Sequence, residues 1–142
     1  MRTVFAAPDD ALTILASTHH SAREFGITGS AGVSYAAIKN AILGKHYECE
    51  VIFVGEQRAR RLNREYRGKD RPADVLSFPL DDDVGQIFIC PAVAARHAHH
   101  FDRSVPGFYA FLFIHGAFHL KGMEHGSRME RNEARIRRRF SV

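Results

Sequence analysis

One stretch constrains this chain more than any other: Phe113–His125, reading FIHGAFHLKGMEH. His115 and His119 stand four residues apart, and His125 follows after a further six. Four helical residues advance about 6 Å along the axis and about 40° around it, so both imidazoles project from one face. That separation suits two nitrogens converging on a metal at about 2.0–2.1 Å each. Gly122 falls where the helix must stop, because glycine accepts the left-handed conformation of a helix terminus. The chain can fold back there and present His125 as a third ligand. Three neutral imidazoles with one open position describe a catalytic metal site, whereas structural zinc sites are closed by four protein ligands.

An isolated histidine on an apolar helix is ordinarily a satisfied core or surface group. Here two stand at ligand spacing and a third follows a glycine break. The preceding residues, Phe108-Tyr-Ala-Phe-Leu-Phe-Ile, are apolar almost all round and predict a buried helix. Burying histidines without partners is costly, so a metal site accounts for the pattern better than coincidence. Metallopeptidases of the H-E-x-x-H type place a glutamate directly after the first histidine as general base. Gly116 occupies that position, which disfavours a peptidase.

A chain of 142 residues is the size of one domain. With 45% hydrophobic and 25% charged residues it has the composition of a globular protein. His115 and His119 interrupt its longest apolar run, so no membrane span is expected. The N-terminus, MRTVFAAPDD, lacks an apolar signal-peptide core, and a cytoplasmic location follows as the expectation. Cys49 and Cys90 lie in apolar strand-like runs and read as buried, reduced thiols. A net charge of +4 favours an anionic partner without identifying it.

Along the chain, Thr3–Ala7 reads as a short strand. Ala11-Leu-Thr-Ile-Leu-Ala fits strand or helix, since a short apolar run does not fix the period. Thr28-Gly-Ser-Ala-Gly marks a loop. Ser34 caps a helix from Tyr35 to about Gly44. Strands are expected at Cys49–Val54, Asp74–Leu80 and Val84–Cys90, the last two paired as a hairpin around a solvated Asp81-Asp-Asp loop. Pro79 puts the end of its strand at a sheet edge or exit. A basic helix is expected over Glu56–Tyr66, ended by Gly68, and Pro91 opens another carrying His97, His99 and His100 on a solvated face. Ser104-Val-Pro-Gly breaks that helix before the histidine-bearing one, and Ser127–Phe140 reads as a final basic helix.

Two blocks together resemble the YbeY family of bacterial endoribonucleases. The family's H-G-x-L-H-L-x-G-Y-D-H motif is similar to His115-Gly-Ala-Phe-His-Leu-Lys-Gly-Met-Glu-His125. Its L-N-x-x-Y-R-G-K-D and D-V-L-S-F-P blocks correspond to Leu62–Asp70 and Asp74–Pro79, and its G-D-I-x-I block to Gly85-Gln-Ile-Phe-Ile89. The match runs over roughly residues 34–133. Phe118, Met123-Glu124, Gln86 and Ala73 depart from the pattern, and the acidic residue common shortly before the metal motif is missing near Gly107–Ala110. The three presumed ligands are retained.

The resemblance implies an α+β fold over a single domain, residues 1–142, with a small mixed sheet packed by about five helices. The metal-bearing helix would lie in the C-terminal half. It implies metal-dependent cleavage of single-stranded RNA, maturation of ribosomal RNA at the 16S 3′ end and ribosome quality control. The implied partners are single-stranded or ribosomal RNA, the small ribosomal subunit and its assembly factors, with neither membrane nor DNA expected. Zinc, one ion per chain, suits His115, His119 and His125, although nickel or another divalent ion fits the same ligands.

Arg67 is the second candidate for the chemistry. It stands beside Gly68 and Lys69, where positive charge suits a phosphate, or else complements the helix C-terminal dipole. The resemblance favours the catalytic role. Glu124 is a candidate to orient or deprotonate water, with a solvated loop carboxylate as the competing account. The alternative of a different class is a metal-binding ribosome-assembly factor without nuclease turnover.

Overall fold

The structure of the chain, a computed structural model, describes residues 34–142 and the backbone of residues 12–15. The first elements are strand β1 (Leu12–Leu15), helix α1 (Tyr35–Leu43), strand β2 (Glu48–Phe53) and helix α2 (Glu56–Arg67). They are followed by strands β3 (Val75–Asp81) and β4 (Val84–Ile89) and helix α3 (Pro91–Ala98). A single 3-10 turn, His99–Phe101, leads into α4 (Val105–Leu120), and α5 (Ser127–Phe140) completes the described chain. The α+β class, the mixed sheet and the five α-helices among the described residues agree with the sequence reading. The apolar run at Ala11–Ala16 contains a strand, while the expected strand Thr3–Ala7 and the loop at Thr28–Gly32 lie outside the described residues.

The sheet runs β1-β2-β4-β3. β2 and β4 are parallel in the register Val51↔Ile87, and the other two pairs are antiparallel. The β3–β4 hairpin has its turn at Asp82 and Asp83, both exposed, so this acidic run is solvated as expected. β3 forms an edge, where Pro79 removes no ladder bond from an interior strand.

Period-two alternation divides the core between the two faces of the sheet. Cys49, Val51, Phe53, Ile87 and Ile89 face α1, α4 and α5. Ile52, Val54, Leu76 and Phe88 face the other way, against Ala59 and Leu62 of α2 and Val93 of α3. Both cysteines are buried and free, and burial pushes the Cys49 thiol up to about 12. None of the described helices is long and apolar enough to cross a membrane.

Helix ends follow the chemistry of their capping residues. The Ser34 hydroxyl accepts a bond from the Ala37 N–H at 3.1 Å, and Gly68 closes α2 at φ 69°. Ser104-Val-Pro-Gly proves to be the start of α4 as well as the break before it. Ser104 is its N-cap, accepting from the Gly107 N–H at 3.2 Å, and Pro106 sits in the first turn, where a missing N–H is harmless.

Candidate metal centre and its cleft

α4 is apolar on most of its circumference and is packed into the core along nearly its whole length. Its position over the sheet is set by Gly116. A Cβ there would lie 2.8 Å from Ser77 Oγ and 3.1 Å from Ile87 Cγ2, so helix and sheet approach at a distance only glycine permits. The Ser77 hydroxyl donates to the Gly116 carbonyl at 2.9 Å and ties β3 to the helix. No peptidase-type glutamate fits at this position.

The helix ends in a Schellman motif. The Gly122 N–H donates to the His119 carbonyl and the Met123 N–H to the Phe118 carbonyl, both at 3.0 Å, with Gly122 at φ 94°. The reversal returns His125 to the face bearing His115 and His119. Ligand atoms of the three imidazoles lie within 4.8 Å of one another. His115 and His119 are partly buried and His125 is exposed.

Each helical imidazole is oriented from behind. His119 Nδ1 lies 3.0 Å from the Met123 carbonyl oxygen, and His115 Nδ1 lies 3.1 Å from Glu133 Oε1. Both partners are acceptors, so each Nδ1 carries the donated proton and each Nε2 of a neutral ring holds a lone pair. Those two Nε2 atoms face one another at 3.2 Å. With both rings neutral, opposed lone pairs at that distance are relieved by a cation shared between them, and with His125 alongside, the three-nitrogen donor set fits a divalent metal. Burial first, then the adjacent His115 and His125, hold His119 below its ordinary pKa and in the neutral form that ligates.

Glu133 was missed by reading along the sequence. Its carboxylate is buried, with His115 on one oxygen and the Arg137 guanidinium 3.4 Å from the other. A signal did exist: Met129, Glu133 and Ile136 share the buried stripe of α5, where an acid needs partners. Glu124, proposed from sequence, is exposed and does not line the cleft. Asp74, Glu130 and Glu133 are the acids that do.

The triad opens into a cleft of about 790 Å³. Ser77 and Phe78 of β3, Tyr66 and Arg67 at the end of α2, and Phe101, Phe108 and Phe111 form parts of its walls. Arg67 is exposed and carries no ion pair among the described residues, whereas Lys69 does not border the cleft. Asp70 explains how this loop is held: its oxygens accept from Arg60 Nε and Nη2 at 2.8 and 2.9 Å, folding the segment back on α2. Asn63 assists from within, donating to the Arg71 carbonyl at 2.7 Å. The Arg103 and Arg137 guanidiniums lie 4.6 and 5.1 Å from the Phe111 ring centre, adding positive charge beside the aromatic wall. His97 is paired with Asp74 at 3.0 Å, while His99 and His100 are solvated as expected.

Comparison with known proteins agrees with this geometry. The family model of endoribonuclease YbeY matches residues 29–140. A Finegoldia magna endoribonuclease YbeY is 41% identical over 87 residues, covering 56% of this chain and 57% of its own. The Lactobacillus gasseri protein of that name is 31% identical over 107 residues, covering 63% and 59%. The chain thus spans little more than half the length of these curated relatives. A Thermotoga maritima protein solved in solution is 31% identical, with a TM-score of 0.52 over 71% of this chain and 75% of its own. The matched segment contains the complete histidine triad and Arg67, and the chain belongs to the YbeY endoribonuclease family.

Proposed function

We propose that this protein is a metal-dependent endoribonuclease that cuts single-stranded RNA in the cytoplasm. The proposed setting is maturation of the 16S ribosomal RNA 3′ end and ribosome quality control, with the small ribosomal subunit and its assembly factors as partners. The proposed catalytic unit is a single domain over residues 1–142. The observation that carries the reading is the convergence of three imidazoles, with ligand atoms within 4.8 Å of one another, in a cleft that also holds Arg67. Family membership supports RNA as the strand that is cut.

His115, His119 and His125 would hold the ion, with zinc favoured because three imidazoles leave one of its four usual positions open. When bound, such an ion supplies Lewis-acid chemistry to a phosphodiester. Glu133 and the Met123 carbonyl keep two of the imidazoles in the ligating tautomer. Among the described residues Arg67 has no carboxylate partner, and it borders the cleft, so its planar guanidinium faces the space where a phosphate would be held. Its proposed role is to hold the scissile phosphate and offset charge that develops there.

The test is cleavage of matched single- and double-stranded RNAs by the zinc- or nickel-loaded protein and its folded His119→Ala variant. Cleavage confined to the single strand, and lost by at least about 100-fold in the variant, is expected for a group this close to the chemistry. Equal cutting by both proteins would overturn the assignment of chemistry to the triad. Tight RNA binding without cutting by either metal form would favour the assembly-factor reading.

A further inference from the structure

Among the described residues, two large hydrophobic side chains stand exposed, Tyr66 at 43% and Phe101 at 52%. Single exposed aromatics are ordinary on a protein surface. These two come from different elements, the end of α2 and the 3-10 turn before α4, yet both line the cleft that contains the triad. Each is braced by further rings. Tyr66 lies edge-to-face with Phe78 at 5.0 Å, and Phe78 meets Phe88 at 5.5 Å in the same manner. Phe101 stacks on Phe108 at 5.2 Å and leans against Phe111 at 5.3 Å. The bracing fixes both rings while about half of each remains open, so little ordering is left for a ligand to impose.

We propose that Tyr66 and Phe101 are base-stacking platforms, each seating one unpaired nucleobase of a single-stranded RNA lying along the cleft. The inference rests on the RNA-cleaving reading above and names how that substrate is held. Charge complements the rings: Arg67 adjoins Tyr66 in the cleft lining, and the Arg103 guanidinium lies over Phe111, which braces Phe101, so a cation flanks each platform. Every base has a π-face, so such platforms tolerate any sequence. They discriminate against duplex, whose bases are already stacked within the helix. Strand selectivity then arises from ring faces and not from base-edge hydrogen bonds.

The test is the affinity of a short mixed-sequence single-stranded RNA and of an abasic strand with the same number of phosphates. Both are measured by fluorescence anisotropy on the metal-loaded protein, with strand integrity checked on a gel. Tyr66→Leu and Phe101→Leu keep apolar bulk against the bracing residues while removing the ring. Each is expected to weaken binding of the base-bearing strand by about tenfold or more, leaving the abasic strand within about twofold. Tyr66→Phe and Phe101→Tyr, which retain a ring, are expected to bind like the parent. Unchanged affinity in the leucine variants, or equal losses on both strands, would overturn the proposal while leaving the nuclease reading intact. Failure of the parent to bind either strand would overturn both.

Discussion

Glu133 stands behind His115 without reaching the ion's proposed position, and its influence is separable from that of the ligands. Glu133→Gln preserves shape but replaces a carboxylate acceptor with a neutral amide. Metal affinity is expected to fall about 10- to 100-fold, the usual consequence of losing such a support, with the fold retained. Competition against a chromophoric chelator measures this, and unchanged affinity would show that His115 needs no carboxylate to orient it. His119 makes a prediction about pH. Its folded pKa lies below the ordinary 6.5, so the unfolded chain takes up the proton first. Its neutral form supports the metal-free fold fully above that value, and stability declines as pH falls through and below it. Melting in chelator at neutral and mildly acid pH checks this, an unchanged midpoint being the contrary result.

At the scale of elements, α4 is held in place by one missing methyl group. Gly116→Ala would gain helix propensity of about 1 kcal/mol but must displace Ser77 and Ile87 from a tightly packed contact. A net loss of about 1–2 kcal/mol is expected, read by denaturant unfolding, together with weaker metal binding as the helix lifts from β3. A stabilised variant would show that Ser77 yields freely. Glycine at this position was legible in the sequence as the absence of a peptidase base, but its cause was not, because Ser77 and Ile87 are distant along the chain. The elements themselves were legible where signals are local: Ser34, Gly68, Pro91 and Gly122 each mark a terminus through their own backbone or hydroxyl chemistry. Leu12–Leu15 resisted assignment because so short a run has no measurable period, and pairing with β2 settles it as strand. The histidine triad was readable because helix pitch alone predicts two ligands and one glycine supplies the third. Glu133, Tyr66 and Phe101 join the site only through tertiary packing.

For the molecule as a whole, a net charge of +4 suits the RNA partner proposed above, with Arg67 in the cleft lining and Arg103 over Phe111 beside it. If Arg67 and Arg103 each meet a phosphate, a slope of about −0.7 per contact predicts roughly a sevenfold loss of RNA affinity for a fourfold rise in salt. The exposed arginines of α5, Arg128, Arg131, Arg135, Arg138 and Arg139, would steepen that dependence if the strand extends over them. Anisotropy titrations across salt concentrations measure the slope, and a flat profile would remove electrostatic tracking from the account. The Schellman turn after α4 has a different consequence, concerning time. All three imidazoles belong to one helix and the reversal that ends it, so bringing them together closes only a very short loop. Helix growth and closure of such loops take about a microsecond or less, whereas the parallel pairing of β2 with β4 joins segments far apart and is intrinsically slow. A nascent chain can therefore bring its three imidazoles together before the walls of the cleft exist, and the cleft is complete only when α2, β3 and α5 have packed around them.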